Sequence, residues 1–353
     1  MDPTTKTDLT ALDVRGVLPT ALSGRLLGIG SEPGDHMDAV IHSVHLGAGR
    51  CISYRNRRAV TDAVVTNIIH FGGSILALGE GTLAYELASD LGALRRVDLA
   101  GQHRGLSAHP KRDPITGDLH LLAIAADGAQ AHVIVSSGAL TRTSRPITGT
   151  PGLVQDLALT RDRVVFVTDG FVGVASREGD AHITWVGTGV DAPCLVHAHD
   201  VGDTIVVHTV TPSLERWTLD IASSAVHREV LDPTPRRFAR VGDRPVDATP
   251  RFLWTTGDGT ADKHDLATRN CVHHNFAPHR LPGDLVFVAD TARPGDADGG
   301  WLVGFVHHAT KDETDLVVLD AADIARPAIA TVRIPRRIPL GLRSTWIPSL
   351  ETP

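Results

Sequence analysis

Aromatic residues make up only 4% of this 353-residue chain, cysteine occurs three times and methionine twice. So few rings argue against a surface that binds RNA or glycans by stacking. Cys51, Cys194 and Cys271 stand alone, without C-x-x-C spacing, so neither a zinc site nor a disulfide framework is expected. No apolar run approaches the ~20 residues of a membrane span. The polar start from Met1 to Arg15 lacks the apolar core of a signal peptide. A net charge of -7 disfavours nucleic acid as a partner, since that requires a basic face. P-loop, G-x-S-x-G and correctly spaced dinucleotide glycines are all missing. A reduced, cytoplasmic protein is the expectation, with an oligomeric state that the sequence does not specify.

What is present is a repeat. Val164-Val165-Phe166-Val167, Thr204-Ile205-Val206-Val207 and Leu302-Val303-Gly304-Phe305-Val306 read as strands, rich in the branched residues that suit a pleated surface. Turn-then-strand starts fall near Gly24, Gly72, Gly117, Arg161, Gly202, Arg251 and Gly299, with almost no helical periodicity between them. Their separations are 48, 45, 44, 41, 49 and 48 residues. Such a period suits the blade of a β-propeller, whose sheets bury both faces only by stacking around an axis. Seven starts predict an all-β, seven-bladed β-propeller with an axial pocket, occupying residues 21–353 behind an N-terminal arm over residues 1–20. Gly257-Asp258-Gly259 and the segment from Asp296 to Gly300 read as hairpin turns rather than calcium loops. Phe71, Phe238, Trp254, Trp301 and Phe305 are expected to pack blades together.

His109, Gln155 and His197 lie 46 and 42 residues apart, close to one blade each, so they are expected at equivalent places facing the axis. Arg343 falls near ring closure. Each sits in a distinctive phrase: Ala108-His109-Pro110-Lys111, Gln155-Asp156-Leu157-Ala158-Leu159-Thr160, Cys194-Leu195-Val196-His197, and Pro339-Leu340-Gly341-Leu342-Arg343. Together with Leu22-Ser23-Gly24-Arg25-Leu26-Leu27, Leu78-Gly79-Glu80-Gly81 and Arg216-Trp217-Thr218-Leu219-Asp220, they resemble the carotenoid cleavage oxygenase family. The matching blocks run in order from about Leu22 to Pro348, and the chain is short for the family, which implies trimmed loops and helices.

In that family, the resemblance implies, all four positions are histidines holding one non-haem Fe(II), with glutamates orienting the rings. Here His109 and His197 remain, Gln155 and Arg343 replace the others, and Glu80 stands where one supporting glutamate is expected. Arg237 and Asp284 fall at two further glutamate positions. His199 rivals His197 for the axial place, while Phe238 and His70 are expected to border the pocket. A guanidinium stays protonated and has no lone pair for a metal. The favoured reading is therefore an enzyme without a cofactor, in which His109, Gln155, His197, Arg343 and Glu80 are catalytic. It would perform a cyclisation, isomerisation or pericyclic step on an apolar conjugated polyene or polyketide-like small molecule.

Two alternatives stay open. One is an Fe(II) oxygenase cleaving an apocarotenoid or stilbene-like alkene, with His109 and His197 as ligands beside a carboxylate such as Asp156 or Asp200. The other is a pseudoenzyme that binds an apolar ligand without turnover. His42 and His70 are expected to be structural. The pairs His273-His274 and His307-His308 read as surface or packing residues, because neighbours on a strand face opposite ways.

Overall fold

In a computed structural model, residues 6–31, 39–59, 65–99, 101, 103–138, 141–178, 182–191, 193–242, 249–339 and 343–349 are described. They form seven antiparallel sheets and contain no helix. Each repeat start read from the sequence falls at or just before the second strand of a blade. Those strands begin at Gly24, Ser74, Leu119, Arg163, Thr204, Phe252 and Gly300 in blades I to VII.

Blades II, IV, V and VI are simple four-stranded sheets, with inner strands Val65–Phe71, Asp156–Leu159, Cys194–Val201 and Phe238–Val241. In blade III the inner edge is made by two short strands, Gly105–Leu106 and Lys111–Arg112, both paired with Leu119–Ile124. Blade VII likewise has Arg280–Pro282 and Val286–Ala289 against Gly300–His308. The ring is closed twice. Ser344–Pro348 supplies the inner strand of blade I by pairing with Gly24–Ser31. Asp13–Gly16 supplies the outer strand of blade VII by pairing with Ala330–Ile334. Thr7–Leu9 adds a fifth strand to blade I. The segment read as an arm is thus stitched into two blades: its backbone groups satisfy strand edges that would otherwise stay open.

Apolar packing follows the blade junctions. Seven buried clusters occur among the described residues, one for each neighbouring pair of blades. Leu26, Tyr54, Val303 and Phe305 join blades I and VII; Ile41, Ile68 and Tyr85 join I and II. Trp217 and Val167 join IV and V, and Trp254 and Leu302 join VI and VII. As expected, Phe71, Trp254, Trp301 and Phe305 are buried packing residues. Each sheet is marginal alone; its two faces are covered only by neighbours, so the whole ring is one cooperative core.

Candidate active site on the propeller axis

Polar side chains cross between inner strands and tie the centre of the ring. Lys111 on blade III reaches Asp156 on blade IV, with Nζ 3.1 Å from Oδ1, and also donates to the Leu195 carbonyl on blade V at 3.3 Å. Asp156 accepts in turn from the backbone N–H groups of Leu157 and Leu195, at 2.8 and 3.0 Å. A second clasp runs from blade VI through VII to I. Arg240 binds both oxygens of the fully buried Asp284 and donates to the Ser344 carbonyl at 2.8 Å, while Asp284 accepts from Ser344 N–H at 2.9 Å. The Arg240 charge and these hydrogen bonds outweigh burial and keep the Asp284 carboxyl below its usual range. Asn67 of blade II donates to the Ala108 carbonyl at 2.7 Å.

Inside this frame lies a cavity of about 590 Å³. Residues from six blades line it, including Asn67, His109, Lys111, His197, Arg240 and Arg343, on walls otherwise built from Ile69, Leu159, Val196 and Val241. His109 follows the first short strand of blade III. A Cβ on Gly105 would lie 2.3 Å from the Gly81 carbonyl carbon, so glycine is needed for this strand to approach the turn carrying Glu80. Glu80 Oε1 consequently accepts from Ala108 N–H at 2.9 Å and lies 3.5 Å from His109 Nε2. Burial pushes the His109 pKa down; Asp156 and Glu80 pull against this, while Lys111 and Arg343 reinforce it. His109 is therefore a neutral imidazole across a wider pH range than a free histidine.

His197 lines the cavity, helped by a register slip between Leu195 and His197 that brings Val196 and His197 both to the wall. His199 instead lies buried within blade V, stacked between His197 at 5.6 Å and His208 at 6.0 Å. Arg343 Nη2 lies 3.0 Å from Cys194 Sγ. Among the described residues no carboxylate is within ion-pair distance of Arg343, unlike Lys111 and Arg240. Leu340, Gly341 and Leu342, from the phrase that precedes it, lie outside the described residues.

Other expected positions fall elsewhere. Gln155 is exposed and donates to Asp169 at 2.9 Å; its neighbour Asp156 points inward instead. Arg237 is exposed and pairs with Asp258 at the hairpin turn, 3.0 Å away, so Arg240 is the cation on the cavity wall. Arg237 precedes the strand Phe238–Val241, whereas Arg240 lies within it. Phe238 lines a crevice with Trp254 and Asp284, off the main cavity. His70 is half-buried and faces away from the wall formed by Asn67 and Ile69. His42 is buried against Tyr54, its Nδ1 2.9 Å from the phenol oxygen. Lys111 and Arg240 were not singled out from the sequence. For Arg240 the available signal was a lone charge on an otherwise apolar inner strand.

A seven-bladed propeller with a basic, half-apolar pocket on its axis defines the class. The sequence model of the family described as RPE65, retinal pigment epithelial membrane protein, matches residues 52–196 and 192–348. The chain belongs to this family. It is 26% identical to a carotenoid cleavage oxygenase of Mycobacterium tuberculosis, over 97% of this chain and 95% of that one. That alignment spans 486 positions, more than this chain possesses, so the relative carries segments missing here. Isoeugenol monooxygenase of Pseudomonas nitroreducens is 25% identical over 80% of this chain and 74% of its own. Cobalt-substituted Synechocystis ACO shares the fold with a TM-score of 0.86 at 19% identity, covering 98% and 96% of the two chains.

The donors present do not fit a centre of four imidazoles. Arg343 offers no lone pair, and Gln155 is exposed and engaged with Asp169. Asp156 and Asp200, the carboxylates that might have completed a two-histidine set, are committed to Lys111 and Arg163 respectively. Among the described residues, the triplets of His, Cys and Asp close enough to share an ion lie in and beside blade VI, not on the axis.

Proposed function

We propose that this chain is an enzyme on the carotenoid oxygenase scaffold that works without iron, on a small, apolar, conjugated substrate carrying an oxygen function. The observation that carries the reading is Arg343, a guanidinium without a carboxylate partner among the described residues, at a position where the family resemblance implies an iron ligand. In a pocket of this size, polar groups orient the ligand and apolar walls hold its body. Arg343 would bind a carbonyl, enolate or carboxylate oxygen and stabilise negative charge as it develops. His109, held neutral and backed by Glu80, would take a proton from the conjugated system and return it at another carbon. Isomerisation, cyclisation or proton-assisted pericyclic closure all fit this division of labour. The name of the relative isoeugenol monooxygenase supports a compact conjugated alkene as a ligand class for this fold.

The test has two parts. Iron is measured on the purified protein before and after anaerobic Fe(II) addition, and conjugated aldehydes and stilbene-type phenols are then incubated with it under argon and under air. Negligible iron, with equal product under argon and air, is the expected result, and Arg343→Gln and His109→Ala should each abolish turnover. About one iron per chain with turnover only in air would overturn the reading. Ligand binding without turnover would place the protein among non-catalytic carriers.

A further inference from the structure

We infer a second, independent site on blade VI: a borderline transition-metal site, best suited to Zn(II), formed by Asp262, Cys271 and His273. The strands Thr260–Asp265 and Cys271–Asn275 pair so that Asp262 opposes His273 and His264 opposes Cys271. Because alternate residues share a face, these four side chains emerge on one side of the sheet. One ligand atom from each of Asp262, Cys271 and His273 lies within 4.8 Å of the others. Cys271 also belongs to an overlapping triplet with His264 and Asp232, the last residue of blade V.

The geometry is close to what a tetrahedral ion requires. With Zn–S near 2.3 Å and Zn–N near 2.0 Å, sulfur and nitrogen on one ion stand about 3.5 Å apart. Cys271 Sγ and His273 Nδ1 are 3.8 Å apart. His273 Nδ1 already meets Asp262 Oδ1, the contact a metal would open and replace. The other carboxylate oxygen, Oδ2, is held by Arg236 and by the Thr260 hydroxyl, which fixes the direction in which Oδ1 points.

Arg236 is the counter-argument, since its charge lies beside the site and pairs with both Asp262 and Asp232. The charges nevertheless balance. Two carboxylates and a thiolate carry three negative charges, against two on the metal and one on Arg236. Binding releases the Cys271 thiol proton to solvent and forms the Zn–S bond, with no redox change. Cys271 and His273 are both exposed, so the ion has a path in and a fourth position for water.

Co(II) titration of the full-length protein tests this, because a cobalt-bound thiolate gives a charge-transfer band in the near ultraviolet. One equivalent of Co(II) should produce the band, and Zn(II) should displace it. Cys271→Ser should abolish it and His273→Ala should weaken binding more than about 100-fold, since losing only a supporting partner costs about 10- to 100-fold. Cys194→Ser, at the axial cavity, should keep it. Without any variant, Zn(II) should protect Cys271 from iodoacetamide, read by peptide mapping. Absence of the band, its survival in Cys271→Ser, or unchanged alkylation of Cys271 in the presence of Zn(II) would each overturn the site.

Discussion

Mild acid should destabilise this propeller before its carboxylates titrate. His42, His132 and His208 are buried in the core of three different blades, and burial lowers each pKa to about 3. His132 shares one proton position with His120, their ring nitrogens 2.9 Å apart, and meets the Phe166 ring edge-on. His208 stacks on His199, and its Nδ1 has no hydrogen-bond partner. These imidazoles stay neutral when folded but are protonated once the chain opens. Because the folded pKa lies below the unfolded one, their contribution is complete above about pH 6.5 and is lost as pH falls from there towards about 3.

The magnitude at about pH 5 hardly depends on the folded pKa, provided that value lies well below 5. It is set by the unfolded imidazole, and comes to about 2 kcal/mol per group. His120 and His264, held down to about 4, add to this; the three deepest groups alone give about 6 kcal/mol, against a total stability of about 5–15 kcal/mol for a typical domain. With an unfolding entropy of about 2 cal/mol/K per residue, that loss corresponds to a fall in Tm of about 8 °C. Thermal unfolding followed by circular dichroism from about pH 7 to about pH 5, at constant ionic strength, measures it. His208→Leu, which removes one of these five protons, should reduce the slope by no more than about a fifth. A Tm unchanged within about 2 °C over that range would refute the reasoning.

Three further outcomes follow from the axial frame. Asp284→Ala removes the carboxylate from the half-buried Arg240 guanidinium and the acceptor from the Ser344 N–H; it should cost about 3–5 kcal/mol in denaturant unfolding, and a loss below about 1 kcal/mol would contradict the assigned clasp. Gln155→Ala, at an exposed position, should change stability by no more than about 0.5 kcal/mol and leave turnover intact, a sharp contrast with Arg343→Gln. The double substitution Gln155→His and Arg343→His should leave iron uptake unchanged, because position 155 is exposed and does not reach the axis, read by elemental analysis after anaerobic Fe(II) loading. Iron gained only by the double variant would mean that position 155 faces the axis after all.

The repeat was legible because blade stacking imposes it on every strand: turn residues must recur at one blade's length, and the seven marked starts fall on the second strands. The axial residues were legible only to within a strand's alternation. Gln155 and Arg237 were assigned inward, whereas Asp156 and Arg240 are the side chains that reach the axial frame. One residue's slip on a strand reverses the face, and a bulge such as that before His197 cannot be read from one sequence. The blade VI cluster was hidden for a related reason. Asp262, Cys271 and His273 have no metal-motif spacing along the chain and meet only once the hairpin register pairs Asp262 with His273.

A metal on a propeller axis does mechanical as well as chemical work, since ligands from several blades pull towards one point. Here ion pairs and hydrogen bonds also fasten the blades around the axis. Lys111, Asp156 and Leu195 fasten blades III, IV and V; Arg240, Asp284 and Ser344 fasten VI, VII and I. Thr345 donates to the Ile68 carbonyl at 2.5 Å, joining I to II, and Asn67 joins II to III. The remaining junction, between V and VI, has Leu214, Ala239 and Leu253 at its core and is bridged by Arg236, which pairs with Asp232 and Asp262. Each clasp spends its charges on a neighbouring strand, which removes Lys111, Asp156, Arg240 and Asp284 from chemistry while holding the cavity open. Arg343 has no such pairing among the described residues, and its charge helps to lower the pKa of both His109 and Asp284. A scaffold whose centre is braced by its own ion pairs can exchange metal ligands for a guanidinium without collapsing, and that is the physical basis for reading Arg343 as a working residue.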